Sequence, residues 1–289
     1  MGGGSWTAND FSAYSKSVGR VVTADGSLRS NYTAQDLFKS KRIQSELNPL
    51  NVVRECCDSE EHPDTIPVIL ALDVTGSMGS AAAEVAKKLN EVMTKLYEKV
   101  TDVEFLVMGI GDLAYDCAPI QASQFESDIR IAEQLDKLYF EGGGGGNGYE
   151  SYTAAWYFGL RHTKLACWKR GRKGIIITMG DEPLNPYLPY ERLHEVTGDN
   201  LQGSIETKDL YESATAKFDI YHLAVDDRET SYSYYADDIK TTFGKYLDEN
   251  HLRVVSLDNI STAIVDIVSN TNSTNTSAVI KNNNGEISW

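Results

Sequence analysis

The sequence predicts an α/β protein in which a doubly wound, mostly parallel β-sheet is flanked by helices. Two patterns indicate this fold class. From residue 65 onward, short apolar runs alternate with longer segments whose apolar residues recur at helical spacing. The apolar runs lack the regular polar alternation of a sheet with one face in water, which is typical of strands covered on both faces.

Each element follows from its own pattern. The five apolar runs predict strands at residues 65–72, 103–110, 174–179, 219–225 and 252–257. The intervening segments predict helices at residues 81–100, 126–139, 150–167, 205–217, 235–247 and 259–268. The segment 81–100 has the clearest helical pattern, with Val85, Leu89 and Leu96 on one face. A short further strand is expected near residues 118–122.

A chain of 289 residues is expected to form one large α/β domain with extensions. Residues 1–64 are polar and irregular, and they are assigned to an N-terminal extension with one helix at 33–47. Residues 65–270 form the predicted α/β domain. Residues 271–289 are rich in Asn, Ser and Thr and are assigned to a polar tail.

Charge and composition argue against several kinds of partner and location. Forty-two acidic residues against 27 basic ones give a net charge of −15, which disfavours nucleic acid and anionic membranes. No apolar run is long enough to span a membrane, and the N-terminus lacks the basic and apolar regions of a secretion signal. The four cysteines show no metal-ligand spacing and fit a reducing compartment. We therefore expect a cytoplasmic protein.

An aspartate follows every predicted strand within a few residues: Asp73, Asp112, Asp181, Asp226 and Asp258. The carboxyl ends of parallel strands share one edge of a sheet, and ligands of open α/β sheets bind at that edge. Aspartate is also a common turn former and helix cap, which accounts for two or three of the five. Carboxylates gathered at one edge repel one another, and a cation is the usual means of holding them together.

The strongest local signal is Asp73-x-Thr75-x-Ser77, which lies between a buried strand and an amphipathic helix. A loop that turns back at Gly76 directs one carboxylate and two hydroxyls towards one point. Hard oxygen donors of this kind suit Mg²⁺ or Mn²⁺ and do not suit zinc.

Two further loops are expected at the same edge. Glycines at residues 142–146 precede Asn147 and Glu150, and such a run serves where the backbone approaches a ligand closely or moves. A flexible linker, with Glu150 as a charge favoured in the first helical turn, is the alternative. The run also matches the Gly-x-Gly-x-x-Gly dinucleotide motif, which is rejected because no strand precedes it. Asp181 follows the strand at 174–179 and faces Asp73 if the two strands are neighbours.

This ordered set of three loops resembles the metal-ion-dependent adhesion site (MIDAS) of von Willebrand factor A (vWA) domains. The resemblance covers about residues 65–270 and is greatest to bacterial cytoplasmic members of the family. It implies a Rossmann-like sheet flanked by helices that binds one divalent cation, Mg²⁺ in the first place, with Mn²⁺ or Ca²⁺ as alternatives.

The resemblance also implies a ligand set. Thr75, Ser77 and Glu150 would contact the ion directly, and Asp73 and Asp181 would be close or water-mediated ligands. Many family members place a threonine in the second loop, where this chain has none before Glu150, so Asn147 is the alternative ligand there.

Such a site does not complete the coordination of the ion. Mg²⁺ needs about six oxygens, and a rim with three or four donors leaves the other coordination positions to water. A carboxylate from a protein partner can replace one of these waters. The expected function is therefore metal-dependent protein–protein recognition. The resemblance to bacterial relatives implies an AAA+ ATPase of the MoxR type, or another component of a multi-protein machine, as the partner.

Two other classes stay open, a metal-dependent hydrolase or phosphatase and a structural assembly subunit with an unoccupied site. An aspartyl phosphatase needs a second Asp two residues after Asp73, where this chain has Thr75. A phosphate-binding loop, a His-Glu-x-x-His motif and a Gly-x-Ser-x-Gly elbow are all missing from the sequence. His222 lies within a predicted strand and is expected to be packed. We therefore expect no enzymatic activity.

Three tyrosines, Tyr232, Tyr234 and Tyr235, follow a run of acidic residues near the predicted rim. They predict either a recognition patch or an ordinary surface loop with amphipathic side chains.

Overall fold

The computed structural model describes residues 4–141 and 146–283, and in this part the chain forms ten strands and nine α-helices. The strands are β1 (Arg54–Cys56), β2 (Ile66–Asp73), β3 (Val103–Ile110), β4 (Ile120–Glu126), β5 (Thr163–Leu165), β6 (Gly174–Gly180), β7 (Tyr187–Leu188), β8 (Ile205–Glu206), β9 (Phe218–Val225) and β10 (Leu252–Val255). The helices are α1 (Ala8–Ser17), α2 (Ala34–Leu37), α3 (Gly79–Tyr97), α4 (Arg130–Leu135), α5 (Thr153–Arg161), α6 (Tyr190–Thr197), α7 (Thr207–Thr215), α8 (Tyr232–Phe243) and α9 (Ile260–Asn283). None of these helices combines the length and the apolarity needed to traverse a lipid bilayer.

Six strands form one sheet in the order β10–β9–β6–β2–β3–β4. Neighbouring strands are parallel except for β3 and β4, which are antiparallel. The strand order reverses between β2 and β6, because the chain continues from β2 to β3 on one side and later returns to β6 on the other. The predicted fold class, a Rossmann-like, mostly parallel sheet flanked by helices, is confirmed.

The side chains of β2 alternate between two apolar cores, since successive residues of a strand point to opposite faces. Val68 and Leu70 pack in the core formed with α3 and α9. Ile69 and Ala71 pack in the core formed with α5, α7 and α8. Both faces of the sheet are therefore covered, which explains why its strands are nearly continuous apolar runs in the sequence.

Apolar residues of the predicted N-terminal extension belong to the first of these cores. Trp6, Phe11 and Leu37 are buried there beside α3. The Trp6 Nε1 donates a 2.9 Å hydrogen bond to Asn90 Oδ1 on α3. The extension is thus packed against the α/β sheet, while the domain boundaries at residues 64 and 270 stay predictions.

Three predicted helices differ from the structure. In the segment 33–47 the α-helix stops at α2, and Phe38 is extended and packs on Phe140 with ring centroids 4.5 Å apart. The helix predicted at 126–139 is limited to α4, because β4 extends to residue 126. The helix predicted at 150–167 is limited to α5, because the next residues form β5 and pair with β1. In each case a tertiary contact overrides the local pattern.

Candidate metal centre

Three loops meet at the carboxyl ends of β2 and β6, where the strand order reverses. The first leaves β2 at Asp73 and continues through Thr75 into a 3₁₀ helix, Gly76–Met78. The second reaches Glu150, whose backbone pairs with Leu184 of the third loop. The third loop leaves β6 at Asp181. Because β2 and β6 are adjacent and parallel, Asp73 and Asp181 lie close enough for Asp181 to raise the pKa of Asp73.

Asp73 is completely buried, and both of its carboxylate oxygens accept hydrogen bonds. Oδ1 accepts from the Thr75 N–H at 2.9 Å and from the Thr75 hydroxyl at 2.5 Å. Oδ2 accepts from the Tyr152 hydroxyl at 2.8 Å. Because Thr75 donates its proton to Asp73, the lone pairs of its hydroxyl oxygen stay available to a cation. Asp73 therefore orients Thr75.

Glu150 is buried beside Asp73 without a compensating positive charge. Only 1% of its surface is exposed, and Oε2 has no hydrogen-bond partner among the described residues. Burial raises the pKa of Glu150 strongly, and neighbouring carboxylates raise it further, namely Asp73, Glu182, Asp116 and Asp112. Keeping such a carboxylate ionised and unpaired costs several kcal/mol, about the effective penalty for a desolvated ion in a protein, so the protonated form is favoured unless a partner such as a divalent cation compensates the charge.

Asp181 is also buried, and its two oxygens differ. Oδ2 accepts a 2.5 Å hydrogen bond from the backbone N–H of Ser231. Oδ1 has no partner in the described part of the chain. Burial raises the pKa of Asp181, while the Ser231 N–H and the nearby Ser77 hydroxyl lower it. Ser77 of the first loop therefore lies beside Asp181 of the third loop.

Asn147 lies further along the rim than Glu150. Its side chain is beside Asp112, where it lowers the pKa of that carboxyl against the raising effect of burial. Asp112 is 1% exposed and Asn147 is half-buried, and each has one oxygen without a partner among the described residues. The geometry thus brings Glu150 to Asp73 and Asn147 to Asp112. Residues 142–145 of the predicted glycine run lie outside the described residues.

The other two aspartates of the predicted rim are exposed. Asp226 follows β9, and its N–H donates a 2.8 Å hydrogen bond to the Val255 carbonyl. Asp258 lies in a 3₁₀ helix, Leu257–Asn259. Neither adds to the buried group of carboxylates, and turn formation accounts for both.

Three residues of the site were not predicted from the sequence. Asp116 is buried, and its Oδ2 accepts a 2.7 Å hydrogen bond from the Asp112 N–H. Burial raises the pKa of Asp116 to about 6, and burial raises that of Glu182 to about 7 with a further contribution from Asp181. Asp112 and Asp116 lie close together in the sequence within one short loop, and this pattern could have indicated Asp116 as a site residue. Tyr152 gave no such signal, since a tyrosine at the start of an apolar helix resembles a core residue.

The first threonine after the second loop, Thr153 at the start of α5, is hydrogen-bonded to the third loop. Its hydroxyl accepts a 2.6 Å hydrogen bond from Asn185 Nδ2, and its N–H donates to Asn185 Oδ1 at 3.2 Å. This paired contact attaches the second loop to the third. Thr153 is therefore occupied in joining the loops, and Glu150 is the oxygen donor that this segment presents to Asp73.

The donors fit a hard divalent cation. Among the residues whose side chains the structure describes, no three His, Cys, Asp or Glu side chains lie close enough together to hold a metal ion by themselves. A cation at this centre would therefore need oxygen donors besides the carboxylates, and the hydroxyls of Thr75, beside Asp73, and Ser77, beside Asp181, are candidates for this. Ligands of this kind and number suit an ion such as Mg²⁺, which accepts oxygen ligands and keeps several waters.

No protein-family model and no curated protein matches this sequence. The chain is similar to several solved structures. The pilus adhesin SpaC from Lactobacillus rhamnosus GG, in its open conformation, has 13% identity and a TM-score of 0.47, and the alignment covers 78% of this chain and 31% of SpaC. The chain thus spans about a third of the length of SpaC.

Two shorter structures are covered almost completely. The von Willebrand factor domain of the type V pili tip protein Mfa5 from Porphyromonas gingivalis has 13% identity and a TM-score of 0.43, covering 78% of this chain and 98% of that one. The conserved hypothetical protein BatB from Bacteroides thetaiotaomicron has 17% identity and a TM-score of 0.41, covering 72% and 99%. At these identities the likeness concerns the fold alone.

Proposed function

We propose that this protein recognises a protein partner through a divalent cation held by Thr75, Ser77 and Glu150. Mg²⁺ is the proposed ion, with Mn²⁺ or Ca²⁺ as alternatives. The observation that supports this most directly is the buried Glu150 Oε2, which has no partner among the described residues and lies beside Asp73. Asp73 and Asp181 then act on the ion through their hydrogen bonds and through water.

Three protein oxygens fill about half of the positions of a six-coordinate ion, and waters fill the others. An acidic side chain of the partner replaces one of these waters and binds the metal directly. The positive ion thereby lies between the carboxylates of the rim and the acidic side chain of the partner. Recognition is consequently lost when the metal is chelated.

The partner in this proposal is a protein, and the family resemblance favours an AAA+ ATPase of the MoxR type or another component of a multi-protein machine. We also propose a cytoplasmic location. The four cysteines Cys56, Cys57, Cys117 and Cys167 are all free thiols, which is typical of a reducing compartment.

We further propose that the protein binds without catalysis. A phosphatase of this fold class would need Asp73 as a nucleophile. Asp73 is completely buried, and its two oxygens accept hydrogen bonds from Thr75 and Tyr152. This supports an orienting role for Asp73 and argues against direct attack on a substrate. Turnover of p-nitrophenyl phosphate that disappears in Asp73→Asn would overturn this part of the proposal.

Calorimetric titration with Mg²⁺ and Mn²⁺ tests the metal. The wild type should bind one ion, and Ser77→Ala and Glu150→Gln should each weaken binding by about tenfold or more, as loss of a ligand contact requires. Asp226→Asn is the matched control, because Asp226 is an exposed aspartate at the end of a neighbouring strand. Equal heats from wild type and Glu150→Gln would remove the metal from the proposal.

A co-purification experiment tests the partner. The wild-type protein should retain its partner in Mg²⁺ and release it in EDTA, and Ser77→Ala should not retain it in either buffer. Binding that is insensitive to EDTA would favour the structural assembly subunit over metal-dependent recognition.

A further inference from the structure

Five tyrosines lie in or beside residues 146–150, the described end of the second loop, and we call them the tyrosine belt: Tyr115, Tyr149, Tyr187, Tyr234 and Tyr235. The ring of Tyr115 lies 3.2 Å from the position of a Cβ on Gly146, and the Tyr235 hydroxyl lies 3.5 Å from one on Gly148. Tyr149 belongs to the loop itself and is close enough to Tyr187 and Tyr115 for them to raise its pKa. Tyr234 packs edge-on against Tyr235 with ring centroids 4.7 Å apart.

The belt is exposed to an extent that is unusual for large side chains. Tyr234 is 82% exposed, Tyr115 is 60% exposed and Tyr187 is 42% exposed. Tyrosine rings offer a large contact area with few rotatable bonds, and for this reason they are enriched in surfaces that bind other proteins. The belt therefore places an exposed aromatic surface beside the candidate metal centre. The sequence pattern at Tyr234 and Tyr235 predicted either a recognition patch or an ordinary surface loop here.

The rim beside the tyrosines holds more carboxyl groups than the charge of one divalent ion can neutralise. Once all three are ionised, Asp73, Glu150 and Asp181 carry three negative charges against the two positive charges of such an ion. Four further carboxyl groups lie along the rim: Asp112, Asp116, Glu141 and Glu182. Asp112 Oδ2 and Asp181 Oδ1 have no hydrogen-bond partner in the described residues, while the other oxygen of each group accepts a hydrogen bond from a backbone N–H.

Arg192 is a basic side chain that approaches this rim, where it lowers the pKa of Asp112 against the raising effect of burial. Its Nε and Nη2 donate to the carbonyl oxygens of Leu113 and Asp116, and its Nη1 pairs with Glu195. Arg192 thus fixes the loop backbone and is shared with another carboxylate. Arg192 is therefore only partly available to the rim, and positive charge from an ion and from a partner would complement the carboxyl groups there.

We propose that the tyrosine belt selects a partner loop in which one carboxylate is flanked by lysine or arginine side chains. The carboxylate binds the ion, and the flanking cations lie over the tyrosine rings and face the rim carboxylates. This inference rests on the proposed function and adds the chemistry of the partner to it. A uniformly acidic partner loop is rejected by the same rim, because like charges at an interface cost free energy.

An array of immobilised nine-residue peptides with a central Asp tests the inference. The flanking residues are Lys, Ala or Glu, and a central Asn serves as the control for the metal contact. In Mn²⁺, Lys-flanked peptides should retain about three- to tenfold more protein than Ala-flanked ones, the range of one or two cation–π contacts. Glu-flanked peptides should retain the least.

Variants of the belt give the second arm. Tyr234→Ala should lower the preference for Lys flanks, and Tyr234→Phe should keep it, because phenylalanine retains the ring face. Tyr246→Ala is the control, since Tyr246 lines a cavity with Lys173 and Phe218 at the opposite end of the sheet. Retention that is equal for Lys, Ala and Glu flanks, or greatest for Glu, would overturn the inference, as would a preference unchanged in Tyr234→Ala.

Calorimetry with Mn²⁺ alone separates the two proposals. If the wild type binds Mn²⁺ and the array shows no preference for Lys flanks, the tyrosine-belt inference fails and the proposed metal centre stands. If Mn²⁺ does not bind, the proposed function fails as well.

Discussion

The hydroxyl of Tyr152 donates a 2.8 Å hydrogen bond to Asp73 Oδ2 and accepts a 3.3 Å hydrogen bond from the Glu182 N–H. One buried oxygen thereby connects the three loops of the candidate centre, since Tyr152 follows the second loop and its two partners belong to the first and third. Gly180 makes room for it, because a Cβ there would lie 2.0 Å from the Tyr152 hydroxyl. The arrangement fixes Asp73, which in turn orients Thr75.

Removal of this hydroxyl should weaken metal binding without unfolding the protein. We expect Tyr152→Phe to lower the affinity for Mg²⁺ and Mn²⁺ by about tenfold, as loss of an outer hydrogen bond to a ligand group does, and to cost about 1 kcal/mol of stability. Calorimetry and urea unfolding measure the two effects. In the control Tyr157→Phe, a buried hydroxyl that donates to Asp199 is lost, and metal affinity should not change. Equal affinities in both variants would contradict the role assigned to Tyr152.

Gly180 should be intolerant of any side chain. Gly180→Ala places a methyl group against the Tyr152 hydroxyl and forces Tyr152 away from Asp73. We expect a loss of about 1–3 kcal/mol in urea unfolding, the usual cost of overpacking, together with weaker metal binding. Gly203→Ala is the control, because a Cβ on Gly203 meets no atom within 4 Å, and its effect should stay within about 0.5 kcal/mol. A similar small effect for both substitutions would show that Tyr152 has room to move.

The sheet and the position of Asp73 and Asp181 could be predicted from the sequence because both depend on local patterns. Buried parallel strands leave apolar runs, and residues that follow them must lie at one edge. The pairing of β1 with β5 left no such pattern, since three-residue strands from distant segments are set by tertiary contacts. Asp116 and Tyr152 were missed for a related reason, because their roles depend on which loops the fold brings together.

The N-terminal segment should contribute to stability through a buried ion pair. Arg20 and Asp136 have N–O distances of 2.7–2.8 Å and are only 10% and 14% exposed. We expect Arg20→Ala to cost about 3 kcal/mol in urea unfolding, because the buried Asp136 loses its positive partner and keeps the hydrogen bond from the Tyr14 hydroxyl. Lys95→Ala removes an exposed pair with Glu91 and should cost at most about 0.5 kcal/mol. Equal small losses would show that the Arg20–Asp136 pair does not stabilise the fold.

Acid should destabilise the protein through His222. The imidazole is completely buried, and its Nδ1 is 2.8 Å from the Thr178 hydroxyl. Burial lowers the pKa of His222 from 6.5 to about 3. Between these values the unfolded chain binds a proton that the folded chain excludes, so the free energy of unfolding falls as the pH falls, by up to about 1.4 kcal/mol per pH unit.

Substitution of His222 tests this dependence. His222→Asn can keep the contact with Thr178 and has no proton to gain, so its unfolding free energy should depend less steeply on pH in this window. The comparison at about pH 8, where both side chains are neutral, isolates the packing cost of the substitution. An unchanged slope in His222→Asn would assign the acid sensitivity to other groups.

The rim carboxylates give the opposite pH dependence, and a bound cation should suppress it. The pKa of Glu182 is raised to about 7 and that of Asp116 to about 6, so their stabilising effect is complete below their ordinary pKa values and is lost as the pH rises through 6 and 7. Without metal, this loss is on the order of 1 kcal/mol after allowance for solvent screening. A cation compensates the ionised groups, so Mg²⁺ should raise the midpoint of thermal unfolding more at about pH 8 than at about pH 5, and its binding should release protons. Glu182→Gln should reduce this difference, whereas the exposed control Asp226→Asn should not. If Mg²⁺ raises the midpoint equally at both pH values, the ion does not compensate the charge of Glu182 and Asp116.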